Sequence, residues 1–466
     1  MSKEPTDASS RSESSAARQV AVEVLQEVTE QDAYANLVLP RRLRTAELTG
    51  RDAAFATELT YGTLRRQGSY DAIWAACAGR PAERVDVRVR ELLRLGAHQL
   101  FFMAVPSHAA VSTTVELAKR NGRRSAAGFV NAVLRRMAES TWDEWMAHLT
   151  TGMPPGSDAD LALRHSHPEW LVAEFSRALV ADARAATDVG DLLAADNEPG
   201  QVTLAARPPR STVAELVAAG AHPGLWAPQA AILDSGDPAK VPAVRERRAG
   251  VQDEGSQVVA AALALVPLEG DRPERWLDMC AGPGGKAALL ASLAEASGAR
   301  LDAWELHEHR ARLVRQQVPS STTVEVHDAA DPVVVGEHAG MFDRVLLDAP
   351  CSGAGALRRR PEARWRKSPE DVLQLAALQA RLLEAALTLV RPGGVVAYVT
   401  CSPLLPETRD IVDAVPSDAA SPVAASAFLP PGLVTGPGPL AQLWPHVHST
   451  DAMFLALLQR TTPPVR

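Results

Sequence analysis

From about Val251 to the C-terminus the chain alternates between short apolar runs and longer amphipathic ones. RWLDMC, RLDAWEL, TVEVHDA, FDRVLLDAP and GVVAYVTCS have strand character, and a terminal strand pair is expected around AMFLALLQR. SQVVAAALALV, KAALLASLAEA, HEHRARLVRQQ and PEDVLQLAALQARLLEAALTLV lie between or before them with helical spacing. Strands separated by helices return in the same direction, so this text predicts a doubly wound parallel sheet covered by helices on both faces. Such a sheet binds its ligands beyond the carboxyl ends of its strands, which is where chemistry is expected.

The first part of the chain reads differently. VAVEVLQEV, RDAAFATELTYGTLRRQGSYDAIWAACAG, RVRELLRLGAHQLFFM, AAVSTTVELAKR and AGFVNAVLRRMAE carry helical periodicity, broken at TG, GRPAE, VPSH and NGRR. This predicts an all-α domain over 17–140, behind a polar, Ser-rich stretch over 1–16 expected to be a disordered tail. Residues 141–195 read as a helical connector. Residues 196–262, with strand-like QVTLAARP and helical TVAELVAAG, read as a small α+β module. The α/β domain then spans 263–466.

Composition excludes several classes. The formal net charge is -8, so this is not a globally basic nucleic-acid coat protein. No apolar run reaches the roughly 18 residues that a membrane helix needs, and the N-terminus has no apolar signal region. The four cysteines (Cys77, Cys280, Cys351, Cys401) form no CxxC pair and are too few for a disulfide scaffold, so a reduced cytoplasmic protein is expected. The 12 histidines show no metal-ligand spacing, and no metal is expected. A monomer is expected. Of the 48 basic residues 43 are arginine, but a GC-rich genome supplies arginine and alanine together, so arginine richness alone says nothing about RNA.

LDMCAGPGGKAALLASL places a strand end, a glycine turn and a helix start in succession, the arrangement that brings backbone N–H groups to a nucleotide. It is not a P-loop, because Cys280 and Ala287 stand where a glycine and a Ser/Thr are required, and the dinucleotide pattern GxGxxG also fails. The cofactor-binding candidates are Cys280, Ala281, Gly282, Pro283, Gly284, Gly285 and Lys286. Acids at successive strand ends add to them: Asp278, then Glu305 placed for ribose hydroxyls, then Asp328 for an adenine edge. An adenosyl cofactor without a pyrophosphate needs this spacing, and S-adenosyl-L-methionine fits best.

Two further strands end in a cysteine followed by a serine, FDRVLLDAPCS at Cys351 and GVVAYVTCS at Cys401. A lone cysteine is usually a small core hydrophobe, the expectation for Cys77 and Cys280. Cys351 and Cys401 share one sheet edge beside the glycine turn, which sets them apart. In LRRRPEARWRK, directly after Cys351, residues 358–367 hold Arg358, Arg359, Arg360, Arg364, Arg366 and Lys367 against Glu362 alone, with Trp365 among them. That composition suits phosphate contacts and base stacking, so these six cations are RNA-binding candidates. RRLR (Arg41–Arg44) and KRNGRR (Lys119–Arg124) are weaker ones.

DMCAGPGGK, LLDAPCSGAG with its basic stretch, the VTCS strand, VQDEGSQ (Val251–Gln257) and WPHVHSTDAMF together resemble the RNA cytosine-5 methyltransferases of the RsmB (Sun) family. The helical front resembles the NusB RNA-binding domain that this family carries. The resemblance covers roughly 17–140 and 196–460. It implies a NusB-like domain, an RRM-like module and a Rossmann-like class I methyltransferase domain. It also implies S-adenosyl-L-methionine as cofactor and ribosomal RNA, 16S rRNA first, as substrate. It assigns Cys401 as nucleophile, Cys351 as the group assisting release, and Lys286 to the cofactor site. Asp348 is placed for the cytosine edge, the cofactor, or both. The chain departs from the family pattern in Gly282 and Ala287, usually Ala and Thr, and in Glu305, usually Asp. The competing readings are the same chemistry on tRNA or another rRNA site, a non-catalytic NusB-like RNA-binding factor, and, least favoured, a nucleotide-dependent oxidoreductase.

Overall fold

The computed structural model describes residues 7–270 and 273–461. They form two compact units, one of residues up to Ala173 together with Leu357–Arg366, the other of Glu174–Ala356 with Lys367 onward.

The first unit is helical. Helices Asp7–Glu30, Gly50–Arg65, Gln67–Ala78, Val87–Phe101, Ser107–Arg120 and Ala127–Met137 follow the periodicity of the sequence. Their apolar stripes close on one core that includes Leu25, Leu59, Trp74, Leu92 and Leu134. One expectation needs correction, and one helix was not foreseen. The tail expected over 1–16 is helical from Asp7, while residues 1–6 lie outside the described residues. A further helix, Ala35–Thr45, carries Pro40 inside it, which masks its periodicity. Helices Trp142–Leu149 and Asp158–His165 complete the unit, the first started by a capping box between Thr141 and Glu144.

The second unit holds two sheets. The smaller has strands β1 (Val202–Ala206), β2 (His222–Pro223), β3 (Ala230–Leu233) and β4 (Ala249–Val251), in the order β2-β3-β1-β4 with every neighbour antiparallel. Helices Val213–Ala218 and Pro242–Arg245 follow β1 and β3, giving the βαββαβ order of an RRM-like module. The larger has β5 (Arg275–Asp278), β6 (Arg300–Glu305), β7 (Thr323–Val326), β8 (Phe342–Asp348), β9 (Val390–Thr400), β10 (Ala420–Val423), β11 (Ala441–Gln442) and β12 (Phe454–Arg460).

Its order is β10-β12-β9-β8-β5-β6-β7, with β11 beside β12. Strands β5 to β9 are mutually parallel, whereas β12 runs antiparallel to β9, so the sheet is mixed. Alternate residues serve opposite faces. Val395, Ala397 and Val399 join Leu455 and Leu457 in one core, while Val396 and Tyr398 join Phe454, Ala456 and Leu458 in the other. Helix Pro369–Leu389, started by a Ser368–Asp371 capping box, covers the second face with Leu382, Leu383, Ala386 and Leu389. By length and composition this helix could cross a membrane, which the sequence reading passed over; with that face against the sheet it has the character of a core helix.

The chain leaves β5 for β6 and β7 on one side and returns to β8 on the other. That reversal places a crevice over the carboxyl ends of β5 and β8.

Candidate active site

The glycine turn is built by the sheet beneath it. Past the end of β5, Met279 N–H donates to Leu346 O and Ala281 N–H to Trp304 O, so the turn stays anchored to both neighbouring strands. Gly284 has φ +114°, and a Cβ there would meet the Val314 Cα at 3.1 Å, so only glycine fits. Helix Gly285–Ala296 begins at once, with no side chain capping its first N–H groups.

Glu305 ends β6 and is nearly buried, 3% exposed. Its Oε2 accepts the Gly282 N–H at 3.0 Å and its Oε1 the His307 N–H at 3.1 Å, with Arg310 Nε 3.5 Å away. A Cβ on residue 282 would lie 2.2 Å from that Oε2. Asp328 stands two residues beyond β7, exposed, accepting the Ala330 N–H at 2.9 Å. The three acids therefore follow the ends of adjacent strands as the spacing implied.

Asp278 is fully buried. Burial first, then the negative charge of Asp348, pushes its carboxyl up to about 8 against the pull of Lys286. Its Oδ1 accepts the Cys280 N–H at 3.4 Å, while no described residue bonds its Oδ2. An unbonded polar oxygen, a glycine cradle and an uncapped helix start fit a small polar cofactor with an amine or hydroxyl to donate.

Lys286 crosses from that helix to Asp348, Nζ to Oδ2 at 2.9 Å. Burial works against its charge, but Asp348 and Cys401 outweigh it and hold the ammonium above its ordinary value. At the ends of neighbouring strands β8 and β9, Cys351 and Cys401 bring their sulfurs within 3.4 Å. The hydrogen bond to Cys401, then burial, then the charges of Cys401 and Glu407 push the Cys351 thiol well above its usual range. Cys280 is also driven up, chiefly by burial, and Cys77 to about 11 by the same cause, so both are held as neutral thiols.

A buried polar network fixes the two cysteine loops. Glu407 accepts the Ser352 N–H at 2.7 Å and the Ser352 hydroxyl at 2.6 Å. Gln379 donates to Pro350 O at 2.9 Å and to Glu407 at 3.3 Å, and the Tyr398 hydroxyl donates to Glu407 O at 2.7 Å. Gly355 N–H donates to Cys401 O, and Ala452 N–H to Gly355 O. The quoted VQDEGSQ segment contributes Asp253, which accepts the Asp451 N–H at 3.2 Å, and Glu254, which accepts those of Trp226 and Ala227. Sequence reasoning missed Glu407, Gln379 and Tyr398. A glutamate in LLPET offers no signal until β9 and the helix before it are paired.

The basic stretch requires a correction. Arg364 is 1% exposed and donates to the carbonyls of Arg65 and Ser166 at 3.1 and 3.0 Å. Arg366 donates to the carbonyls of Val28, Asp32 and Ala33, around the end of the first helix, and Arg358 is buried. Glu362, the one acid, accepts the Ala35 N–H at 3.0 Å and so starts a helix with no cap of its own. Helix ends carry the orphan carbonyls and N–H groups that such a segment satisfies. Arg364 and Arg366 are thus structural ties of the helical unit and Arg358 is buried, whereas Arg360 is exposed and Lys367 half-buried, and these two stay as phosphate candidates.

The chain matches the model of the 16S rRNA methyltransferase RsmB/F family over residues 262–459 and that of the NusB family over 15–139. A protein of Mycobacterium tuberculosis named as a methyltransferase is 48% identical over 96% of this chain and 97% of its own length. Ribosomal RNA small subunit methyltransferase B of Xanthomonas campestris is 35% identical over 90% of this chain and 92% of its own. Among solved structures, that of PH0851 superposes with a TM-score of 0.76 at 21% identity, covering 96% of this chain and 98% of that one. With its helical front, its RRM-like module and its methyltransferase sheet in this order, the chain belongs to the RsmB/F family of ribosomal RNA methyltransferases.

Proposed function

We propose that the protein methylates C5 of a cytidine in ribosomal RNA, 16S rRNA first, with S-adenosyl-L-methionine as methyl donor. The observation that carries this reading is the pair of sulfurs 3.4 Å apart at the ends of β8 and β9, beside a glycine turn suited to an adenosyl group. Cys280 to Lys286, Glu305, Asp328 and Asp278 would hold that cofactor, which supplies an electrophilic methyl group when bound.

Cytosine C5 is a weak nucleophile, and the protein must activate it. The Cys401 sulfur adds its electron pair to C6, and the C5–C6 double-bond pair becomes available for C5 to take the methyl group. Lys286, whose positive charge faces Cys401, favours the thiolate. Asp348, already held by Lys286, is placed to accept from the cytosine amino group. In release, the C5 proton passes to water, its bonding pair restores the double bond, and the C6–S pair returns to Cys401. Cys351, held as a thiol, donates a hydrogen bond to that departing sulfur. The cytosine must leave its stack to reach the thiolate.

The test is methyl transfer from tritiated S-adenosyl-L-methionine to unmodified small-subunit rRNA. Cys401→Ala should lose at least about a thousandfold of label at cytosine C5, and Cys351→Ala should trap a covalent protein–RNA adduct. Label lost in Cys351→Ala but surviving in Cys401→Ala would reverse the roles. Label on tRNA in place of rRNA would move the substrate while keeping the chemistry.

A further inference from the structure

Glu407 is fully buried among the elements that carry both cysteines, yet it takes no part in the chemistry derived above. Its two oxygens are both engaged by the residue after Cys351, one by the Ser352 backbone N–H and one by the Ser352 hydroxyl. That hydroxyl also lies 3.3 Å from the Ser402 hydroxyl, on the residue after Cys401. The carboxylate therefore holds the first cysteine loop directly and meets the second through Ser352. Gln379, which bonds both Glu407 and Pro350 O, clamps the same loop from the helix.

The surroundings of the two sulfurs are unequal. Among the ionisable groups that act on Cys351 are Cys401 and Glu407, from the chain after β9, and Tyr398 from β9 itself. All three are neutral or negative, and Tyr398 is itself held neutral by burial. Cys401 faces the Lys286 ammonium, from the helix after the glycine turn. The Glu407 charge adds to the hydrogen bond with Cys401 and to burial in keeping Cys351 the protonated member of the pair.

We propose that Glu407 is the positioning residue for Cys351: its carboxylate fixes the Cys351–Ser352 peptide and keeps Cys351 as the member of the pair that donates to Cys401. This rests on the methyltransferase reading above. In the release step the C5–H and C6–S bonds break, the C5–H pair forms the double bond, and the C6–S pair goes to Cys401. The proton leaves to water, and the Cys351 proton stays on Cys351.

The experiment measures transfer and release separately, using full-length protein, small-subunit rRNA and labelled S-adenosyl-L-methionine. Glu407→Gln keeps an acceptor for the Ser352 N–H but removes the charge. It should leave transfer within about threefold of wild type and move the alkaline limb of the release rate to lower pH, because Cys351 then loses its proton earlier. Cys351→Ser should show no such limb. Glu407→Ala, which loses the clamp as well, should slow release about tenfold and accumulate adduct while transfer changes little. An alkaline limb unmoved in Glu407→Gln, or transfer and release falling together in Glu407→Ala, would overturn the proposal. Should Glu407→Ala fail to fold, the Glu407→Gln profile decides alone. Absence of any adduct in Cys351→Ala with no label from wild type would sink the methyltransferase reading itself, a result distinct from either Glu407 outcome.

Discussion

Asp278 occupies a position where a carboxylate is costly, fully buried at the end of β5 with one oxygen unbonded by any described residue. Burial and then Asp348 push its carboxyl up to about 8, far above the unfolded value near 4. Between those values the unfolded chain releases a proton that the folded chain keeps, so ionisation favours unfolding more strongly as pH rises. The stability carried by the protonated form is whole near pH 4 and is lost progressively up to about pH 8, with a slope of at most about 1.4 kcal/mol per pH unit. Asparagine cannot ionise. The melting temperature of Asp278→Asn relative to wild type should therefore climb from pH 4 to pH 8, whatever its offset at pH 4. A difference constant across that range would show that Asp278 is ionised in the fold.

At the scale of elements, the glycine turn and β6 make one unit through Gly282 and Glu305. By the resemblance read from the sequence, alanine and aspartate are usual at these places, and here both differ. The structure couples the two departures, since a Cβ on residue 282 would fall 2.2 Å from Glu305 Oε2 and 2.9 Å from Arg310 Nε. The longer acid uses space that the missing methyl leaves. Gly282→Ala alone should weaken S-adenosyl-L-methionine binding about tenfold by forcing Glu305 aside. The double variant Gly282→Ala with Glu305→Asp should recover most of that loss, with a coupling of about 1 kcal/mol by calorimetry. Additive losses would deny the compensation. The sheet was legible in the sequence because each strand end carries its own signal, from Asp278 through Glu305 to Cys401, and β–α alternation leaves few topologies. The antiparallel course of β12 was not legible, since periodicity carries no direction. Nor were Glu407, Gln379 and the helix behind Pro40, whose roles depend on partners distant in sequence.

For the whole molecule, charge poses the remaining question: a chain with formal net charge -8 must bind a polyanion through local patches. The stretch after Cys351 looked like one such patch, but burial divides it. Arg364 donates to carbonyls in the interior of the helical unit, and removing it takes that donor from both. Arg364→Ala should therefore cost about 2–4 kcal/mol of stability in the helical unit, read as a lower melting temperature. Where the variant is folded, its RNA affinity should keep the wild-type dependence on salt. Arg360 is exposed beside the Tyr34 ring, 5.5 Å from its centroid, and Lys367 lies next to the same segment. A cation that contacts phosphate releases a counterion when RNA binds, so its loss flattens the plot of log affinity against log salt. Arg360→Ala and Lys367→Ala should each reduce that slope by about 0.7 without lowering the melting temperature. If Arg364→Ala alone flattened the slope, the buried arginine would belong to the RNA surface after all, and the division drawn from burial would fail.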